Sequence, residues 1–206
     1  MNEILTILVF FAFPVAGLVC KFIDEIVDED YRISNSITTF VILAAGIYSG
    51  GVAILDDIVA CVALALIIGL TLAKKVDDRR FGLLAVITLG VMFSGRLILG
   101  KPIIPSIVIP LIPLLLAGVL LDEIADKYAE KRADNRFQIL TMRPILKIEA
   151  LLLPFFVPQF TFFYTLGMWF FDFAYELTGK LMKRRLLSLY PVEEPVFNPR
   201  TPSLPD

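Results

Sequence analysis

The run Ile4-Leu5-Thr6-Ile7-Leu8-Val9-Phe10-Phe11-Ala12-Phe13-Pro14-Val15-Ala16-Gly17-Leu18-Val19-Cys20-Lys21-Phe22-Ile23, followed at once by Asp24-Glu25-Ile26-Val27-Asp28-Glu29-Asp30, decides the fold. Its twenty residues carry one charge, Lys21. As a helix rising about 1.5 Å per residue they reach about 30 Å, the thickness of a bilayer's hydrocarbon core. The preceding Met1-Asn2-Glu3 supplies no basic segment, and no small-x-small site comes before the charges, so the stretch reads as a retained helix and not as a cleaved signal. Six further apolar runs follow at about Ile37–Leu55, Ile58–Ala73, Gly82–Leu99, Ile103–Leu121, Ile145–Val157 and Phe160–Leu177. The expected fold is an all-α polytopic membrane protein of about seven transmembrane helices. The sixth run is short, has Lys147 and Glu149 near its start, and is interrupted at Pro154 and Pro158. A re-entrant hairpin of runs six and seven is therefore the alternative, and it leaves the chain ends on the same sides.

Composition agrees with the first run. At 57% hydrophobic and 19% charged residues the chain departs from soluble domains, and 206 residues leave little beyond the spans. Residues 1–185 are expected to form the transmembrane domain. Residues 186–206, with Pro191, Pro195, Pro199, Pro202 and Pro205, form a proline-rich cytoplasmic tail unable to bury a core. A net charge of −2 gives no pull toward nucleic acid. The chain has no histidine, so any metal must be held by carboxylates. Cys20 and Cys61 both lie in apolar runs, exclude a disulfide framework, and read as small buried hydrophobes.

Basic residues orient the spans. With the N-terminus outside and the C-terminus inside, 17 of the 19 lysines and arginines fall on the cytoplasmic side, and only Arg96 and Lys101 fall outside. A prokaryotic plasma membrane is the setting this count fits.

Acidic residues gather where helices leave that face. Helix one ends in Asp24-Glu25-Ile26-Val27-Asp28 and helix five in Asp122-Glu123-Ile124-Ala125-Asp126, an offset of 98 residues, each after an Ala-Gly pair. Four helices separate the copies, which makes this a parallel internal repeat with both copies on one face. Asp172 and Glu176 repeat the spacing near the end of helix seven, beside Tyr175. Residues i and i+4 share a helical face, so two such pairs can hold Mg²⁺ against a diphosphate, Mg²⁺ needing only one or two carboxylates beside phosphate oxygens. Asp24, Asp28, Asp122 and Asp126 are thus candidate metal ligands, and Lys21, Lys74, Arg79, Arg80 and Lys127 candidate partners for the remaining phosphate charge. The plain reading of the same carboxylates is a solvated helix boundary. Asp77-Asp78, among four cations, reads as a self-compensated loop, and Asp56-Asp57 as the N-terminal cap of helix three or, if buried, as a cation entry point. Arg96 is expected to snorkel to the outer boundary. Pro105, Pro110 and Pro113 are expected to kink helix five.

Two aspartate-rich motifs separated by four membrane helices resemble those of the UbiA-type intramembrane prenyltransferases. The first family motif, Asn-Asp-x-x-Asp-x-x-x-Asp, corresponds to Cys20-Lys21-Phe22-Ile23-Asp24-Glu25-Ile26-Val27-Asp28, where Asp24 and Asp28 match and Cys20-Lys21 replace Asn-Asp. The second, Asp-x-x-x-Asp, corresponds to Asp122 through Asp126. The likeness covers about a dozen residues and the helix order. It implies cleavage of an isoprenoid diphosphate, with Mg²⁺ on Asp24, Asp28, Asp122 and Asp126 and an acceptor near the catalytic candidates Asp172, Glu176 and Tyr175. Two other classes fit the residues: a cation transporter or channel using the same carboxylates, and a non-catalytic scaffold subunit of a larger membrane complex.

Overall fold

The computed structural model describes residues 3–28, 34–72, 78–132 and 144–189. Among them every regular element is an α-helix: α1 Glu3–Asp28, α2 Asn35–Leu55, α3 Asp57–Leu72, α4 Arg79–Ile98, α5 Val108–Arg132, α6 Pro144–Phe156 and α7 Phe162–Leu189. Local chemistry sets their ends. The nearly continuous apolar run from α2 into α3 breaks at Asp56, whose backbone is extended (φ −122°, ψ 123°). The Asp56 carboxylate accepts from Val59 N at 2.9 Å, the expected cap of α3. Asp78 caps α4 in the same way, accepting from Arg80 N at 2.7 Å. α4 stops at Gly100, which takes φ 64°. There Lys101 N donates to Arg96 O and Gly100 N to Leu97 O, the paired bonds that close a helix through a left-handed residue.

α5 starts at Val108 and not near Ile103. Pro102 and Pro105 withhold amide donors, and each disfavours helical backbone in the residue before it. Pro105 therefore precedes the helix instead of kinking it; Pro110 sits in its first turn, where amides have no helical partner, and Pro113 lies inside. α7 continues to Leu189, and residues 190–206, which hold most of the proline-rich tail, lie outside the described residues.

Among the described residues three helices are long and apolar enough to cross a membrane, Glu3–Ile26, Asn35–Leu55 and Arg79–Ile98, while Asp57–Leu72 and Pro110–Asp122 are shorter apolar helices. α6, at 13 residues, is only about 20 Å long. The outside of the bundle is apolar: Ile98 is 82% exposed, and Phe40 and Phe155 are each 71% exposed. Large hydrophobic side chains all around a helical bundle match a lipid solvent, not water.

Close packing follows missing side chains. A Cβ on Gly17 would meet the Phe171 carbonyl, and one on Gly167 would meet the Phe13 ring, so α1 and α7 run side by side. On α2, Gly46 faces Ile87 and Gly50 faces the Thr88 carbonyl, while Gly95 of α4 faces Ile54. In both pairs the contacts rise together along the two chains, so α1 runs parallel to α7 and α2 to α4. Small residues let backbones approach where packing alone must drive association. α3 lies mainly against α5, and α6 bridges α5 and α7. α3 and α4 touch only sparsely.

Candidate functional site

A cavity runs inside the bundle, about 1220 Å³ of non-protein space including its mouth. Its walls are apolar, contributed by Val19 of α1, Ala45 of α2, Leu66 of α3, Leu84 of α4, Val119 of α5 and Phe171 of α7. Three polar side chains line it at the end where α1 and α5 leave their apolar stretches: Asp24, Asp122 and Tyr175. The first aspartates of the two motif copies thus line one cavity, with Leu146 of α6 beside them.

The copies are held differently. On α1, Lys21 Nζ donates to Asp24 Oδ2 at 2.8 Å and pairs with Glu25 Oε1 at 3.0 Å. Tyr175 Oη also donates to Asp24 Oδ2, at 2.8 Å. Lys21 Nζ sits 5.1 Å from the Tyr175 ring centroid, a cation over an aromatic face. Glu25 is 3% exposed, and its Oε2 has no hydrogen-bond partner. Gly179 of α7 covers the Lys21–Glu25 pair, leaving room for both side chains.

On α5, Asp122 is 3% exposed and reaches across to α6. Its Oδ1 accepts from Ile145 N at 2.9 Å and its Oδ2 from Leu146 N at 2.7 Å. This carboxylate caps a neighbouring helix, satisfying amides that an N-terminus leaves open. One turn along α6, Glu149 lies against Gly118 of α5, where a Cβ would collide with Oε2. Neither Glu149 oxygen has a hydrogen-bond partner.

The three catalytic candidates on α7 divide between two faces. Tyr175 lines the cavity, stacked on Phe171 with centroids 6.5 Å apart. Asp172 and Glu176 turn toward α6, where Lys147 Nζ lies 3.2 Å from Asp172 Oδ2 and 3.7 Å from Glu176 Oε1. A buried acid calls for such a partner, and Lys147 supplies it. Lys180 lies 3.8 Å from Glu176 Oε2. Of the basic candidates, Lys21 is in the network beside the cavity. Arg79 is exposed and Arg80 half-buried at the start of α4, and neither lines the cavity. Lys74 lies outside the described residues, as do the side chains of Asp28, Asp126 and Lys127. Among the described residues no group of three or more His, Cys, Asp or Glu forms a metal cluster.

Sequence reading passed over Glu25, Lys147 and Glu149 as site residues. The last two had left a signal, since they are the charges that interrupt the sixth apolar run.

The opposite end of the bundle corrects the expectation for Arg96. It does not snorkel: it is 0% exposed. Its Nε donates to Pro102 O at 2.8 Å, Nη1 to Ala53 O at 3.2 Å and Nη2 to Asp57 Oδ1 at 2.7 Å. Tyr164 Oη donates to Asp56 Oδ2 at 2.8 Å, and Lys101 Nζ donates to the carbonyls of Ile54 and Leu55. A buried guanidinium with three acceptors ties the ends of α2, α3 and α4 together.

No family model, curated protein or solved structure matches the chain.

Proposed function

We propose that this chain is an intramembrane prenyltransferase-like enzyme acting on an isoprenoid diphosphate, its hydrocarbon tail in the apolar cavity and its diphosphate at the Asp24–Asp122 end. One observation carries the reading: carboxylates 98 residues apart, on the two copies of one motif, line the same end of one apolar cavity. Ligand sites of this kind are mostly apolar, with a few convergent polar groups.

The charge balance at that end supports a divalent cation. Among the described residues Asp24, Glu25, Asp122 and Glu149 stand against Lys21, an excess that favours a cation over a bare diphosphate. Mg²⁺ would be held by Asp24 and Asp122, with Asp28 and Asp126 one turn further on the same helices, and would neutralise the departing diphosphate. Lys21 fixes the Asp24 and Glu25 carboxylates, and the Tyr175 hydroxyl orients Asp24. Asp172 and Glu176, held by Lys147, lie behind Tyr175 on the side from which an acceptor would come. The cavity's apolar wall excludes water from the carbon that leaves the diphosphate.

This reading takes the chain as crossing the membrane about seven times, N-terminus outside and C-terminus inside. The parallel pairing of α1 with α7 and of α2 with α4 supports an alternating path, because helices an even number of positions apart then run the same way. Contact with membrane lipid follows from the apolar exterior; a prokaryotic plasma membrane and an oligomer or partner subunit belong to the proposal.

A cation transporter is the second reading, favoured by the partnerless oxygens of Glu25 and Glu149 within the bundle. Thermal unfolding of the purified protein with Mg²⁺, with and without an isoprenoid diphosphate, separates the classes. A ligand at about 100 times its Kd stabilises the native state by about 2.7 kcal/mol. Stabilisation that requires both together and is lost in Asp24→Asn and Asp122→Asn is the expected result. Stabilisation by the cation alone favours transport, and no response to either overturns both readings and leaves a scaffold subunit.

A further inference from the structure

The Asp122 carboxylate spends both oxygens on the first turn of α6, and that turn is also part of the cavity wall. Leu146 donates its amide to Asp122 Oδ2 and lines the cavity with its side chain. Release of this grip moves the wall at the acidic end.

Three features make α6 able to move. It is short, at 13 residues. It packs on α5 and α7 alone among the more extensive helix contacts. Among the described residues further ties go to α7: Lys147 Nζ to Asp172 and Glu176, Trp169 Nε1 donating to Lys147 O, and Thr165 Oγ1 donating to Ala150 O at 2.7 Å. The turn joining α6 to α7 is closed by Phe160 N donating to Val157 O at 2.8 Å. With the Asp122 grip broken, α6 remains attached to α7 and swings from α5 about that turn.

The docked position also carries an opposing group. Docking presses the Glu149 carboxyl against Gly118 with both oxygens shielded and without a hydrogen-bond partner. A carboxyl left unpaired in an apolar interface is costly, and separation of α6 from α5 frees both oxygens to take up a partner. Asp122 holds α6 down while Glu149, one turn away, lifts it.

We propose that α6 is a strap over the acidic end of the cavity, latched by Asp122 and loosened by Glu149, whose undocking admits ligand. Its consequence for ligand access rests on the cavity reading above; the motion itself does not. Two residues on one interface with opposite signs distinguish a poised element from a merely packed one.

Cys20 is a native reporter, half-buried on the cavity wall, and Cys61, fully buried, is the internal control. The experiment measures labelling of each cysteine by a polar maleimide in full-length protein reconstituted in nanodiscs, quantified by peptide mass spectrometry. Asp122→Ala is expected to speed Cys20 labelling about tenfold, and Glu149→Met to slow it about threefold, as shifts of one docking equilibrium. Cys61 stays protected in both. Asp122→Asn, keeping one acceptor oxygen, falls between wild type and Asp122→Ala. A Cys20 rate in Glu149→Met equal to or above wild type overturns the proposal. So does an unchanged rate in Asp122→Ala with Cys61 protected. If Asp122→Ala labels at Cys61, showing a general loss of fold, hydrogen exchange at the Ile145 and Leu146 amides in Glu149→Met decides. Slower exchange than wild type supports the strap, and equal or faster exchange overturns it. Neither arm uses Mg²⁺ or diphosphate, so failure of the enzymatic reading leaves this result standing, and the reverse.

Discussion

The two ends of the bundle use the same residue types to opposite effect. At one end Arg96, Lys101, Tyr164, Asp56 and Asp57 form a closed set in which the buried guanidinium has three acceptors and the buried Asp56 carboxylate has two donors. At the other, carboxylates crowd around Lys21, and oxygens of Glu25 and Glu149 are left over. Buried polar groups are nearly always satisfied, so among the described residues the unmatched oxygens at the second end mark where ligand, metal or motion is to be sought. The first end ties helices together, and the proposed chemistry is assigned to the second. If this contrast is right, mutations at the first end cost stability, and those at the second cost ligand response before stability.

The largest expected effect is at Arg96. Arg96→Leu leaves the buried carbonyl of Ala53 without its donor. Asp57 is 55% exposed and Pro102 is exposed, so both can turn to water, and the loss comes mainly from the Ala53 carbonyl and the vacated volume, about 3 kcal/mol together. The midpoint of denaturant unfolding in detergent reads this directly. A loss under about 1 kcal/mol would place Arg96 among solvated boundary residues and dissolve the contrast.

How much of this could be read from the sequence divides along the same line, between local and distant interactions. Apolar runs located every helix among the described residues, because a run of apolar residues is a property of consecutive positions. The Asp56 cap was legible for the same reason, its acceptor and donor being three residues apart. The start of α5 was misplaced because the run through Ile103 and Ile104 is apolar, while Pro102 and Pro105 keep its backbone from coiling. Arg96 was misread because two of its acceptors, Ala53 and Asp57, lie 43 and 39 residues away in the chain. The convergence of Asp24 and Asp122 was foreshadowed by their shared motif. That Asp122 caps α6, whose first amides lie 23 and 24 residues further on, was not, since capping signals are short-range. The lack of partners at Glu149 is a statement about everything around it, which no local pattern contains.

An intermediate effect sharpens the comparison from between the ends. The approach of α1 to α7, which carries Asp24 to Tyr175, depends on Gly17, where a Cβ would strike the Phe171 backbone carbonyl. Backbone cannot yield as a side-chain tip can, so Gly17→Ala forces the helices apart and costs about 2 kcal/mol. Gly90, on α4, has open space around it, and Gly90→Ala gains roughly 0.5–1 kcal/mol from the better helix former. The two alanines should move the unfolding midpoint in opposite directions. In Gly17→Ala the Asp24–Tyr175 bond is also lost, so ligand stabilisation falls with the fold.

The smallest expected change is the most discriminating, because it removes the same atom at each end. Tyr164→Phe takes one donor from the buried carboxylate of Asp56, which keeps Val59 N; with one donor to a buried charge removed, stability falls by about 1–2 kcal/mol. Tyr175→Phe takes one donor from Asp24, which keeps Lys21 and faces the cavity. Its stability loss should stay below about 1 kcal/mol, within the net worth of a single hydrogen bond. Stabilisation by Mg²⁺ with an isoprenoid diphosphate should nevertheless drop severalfold in apparent affinity, since the carboxylate that would meet the metal is no longer oriented. Tyr164→Phe should leave that response unchanged once its lower starting stability is subtracted. Equal effects of the two phenylalanines on both measurements would mean that the ends differ in charge count but not in function. A ligand response weakened only by Tyr164→Phe would reverse the assignment and move the site to the Arg96 end.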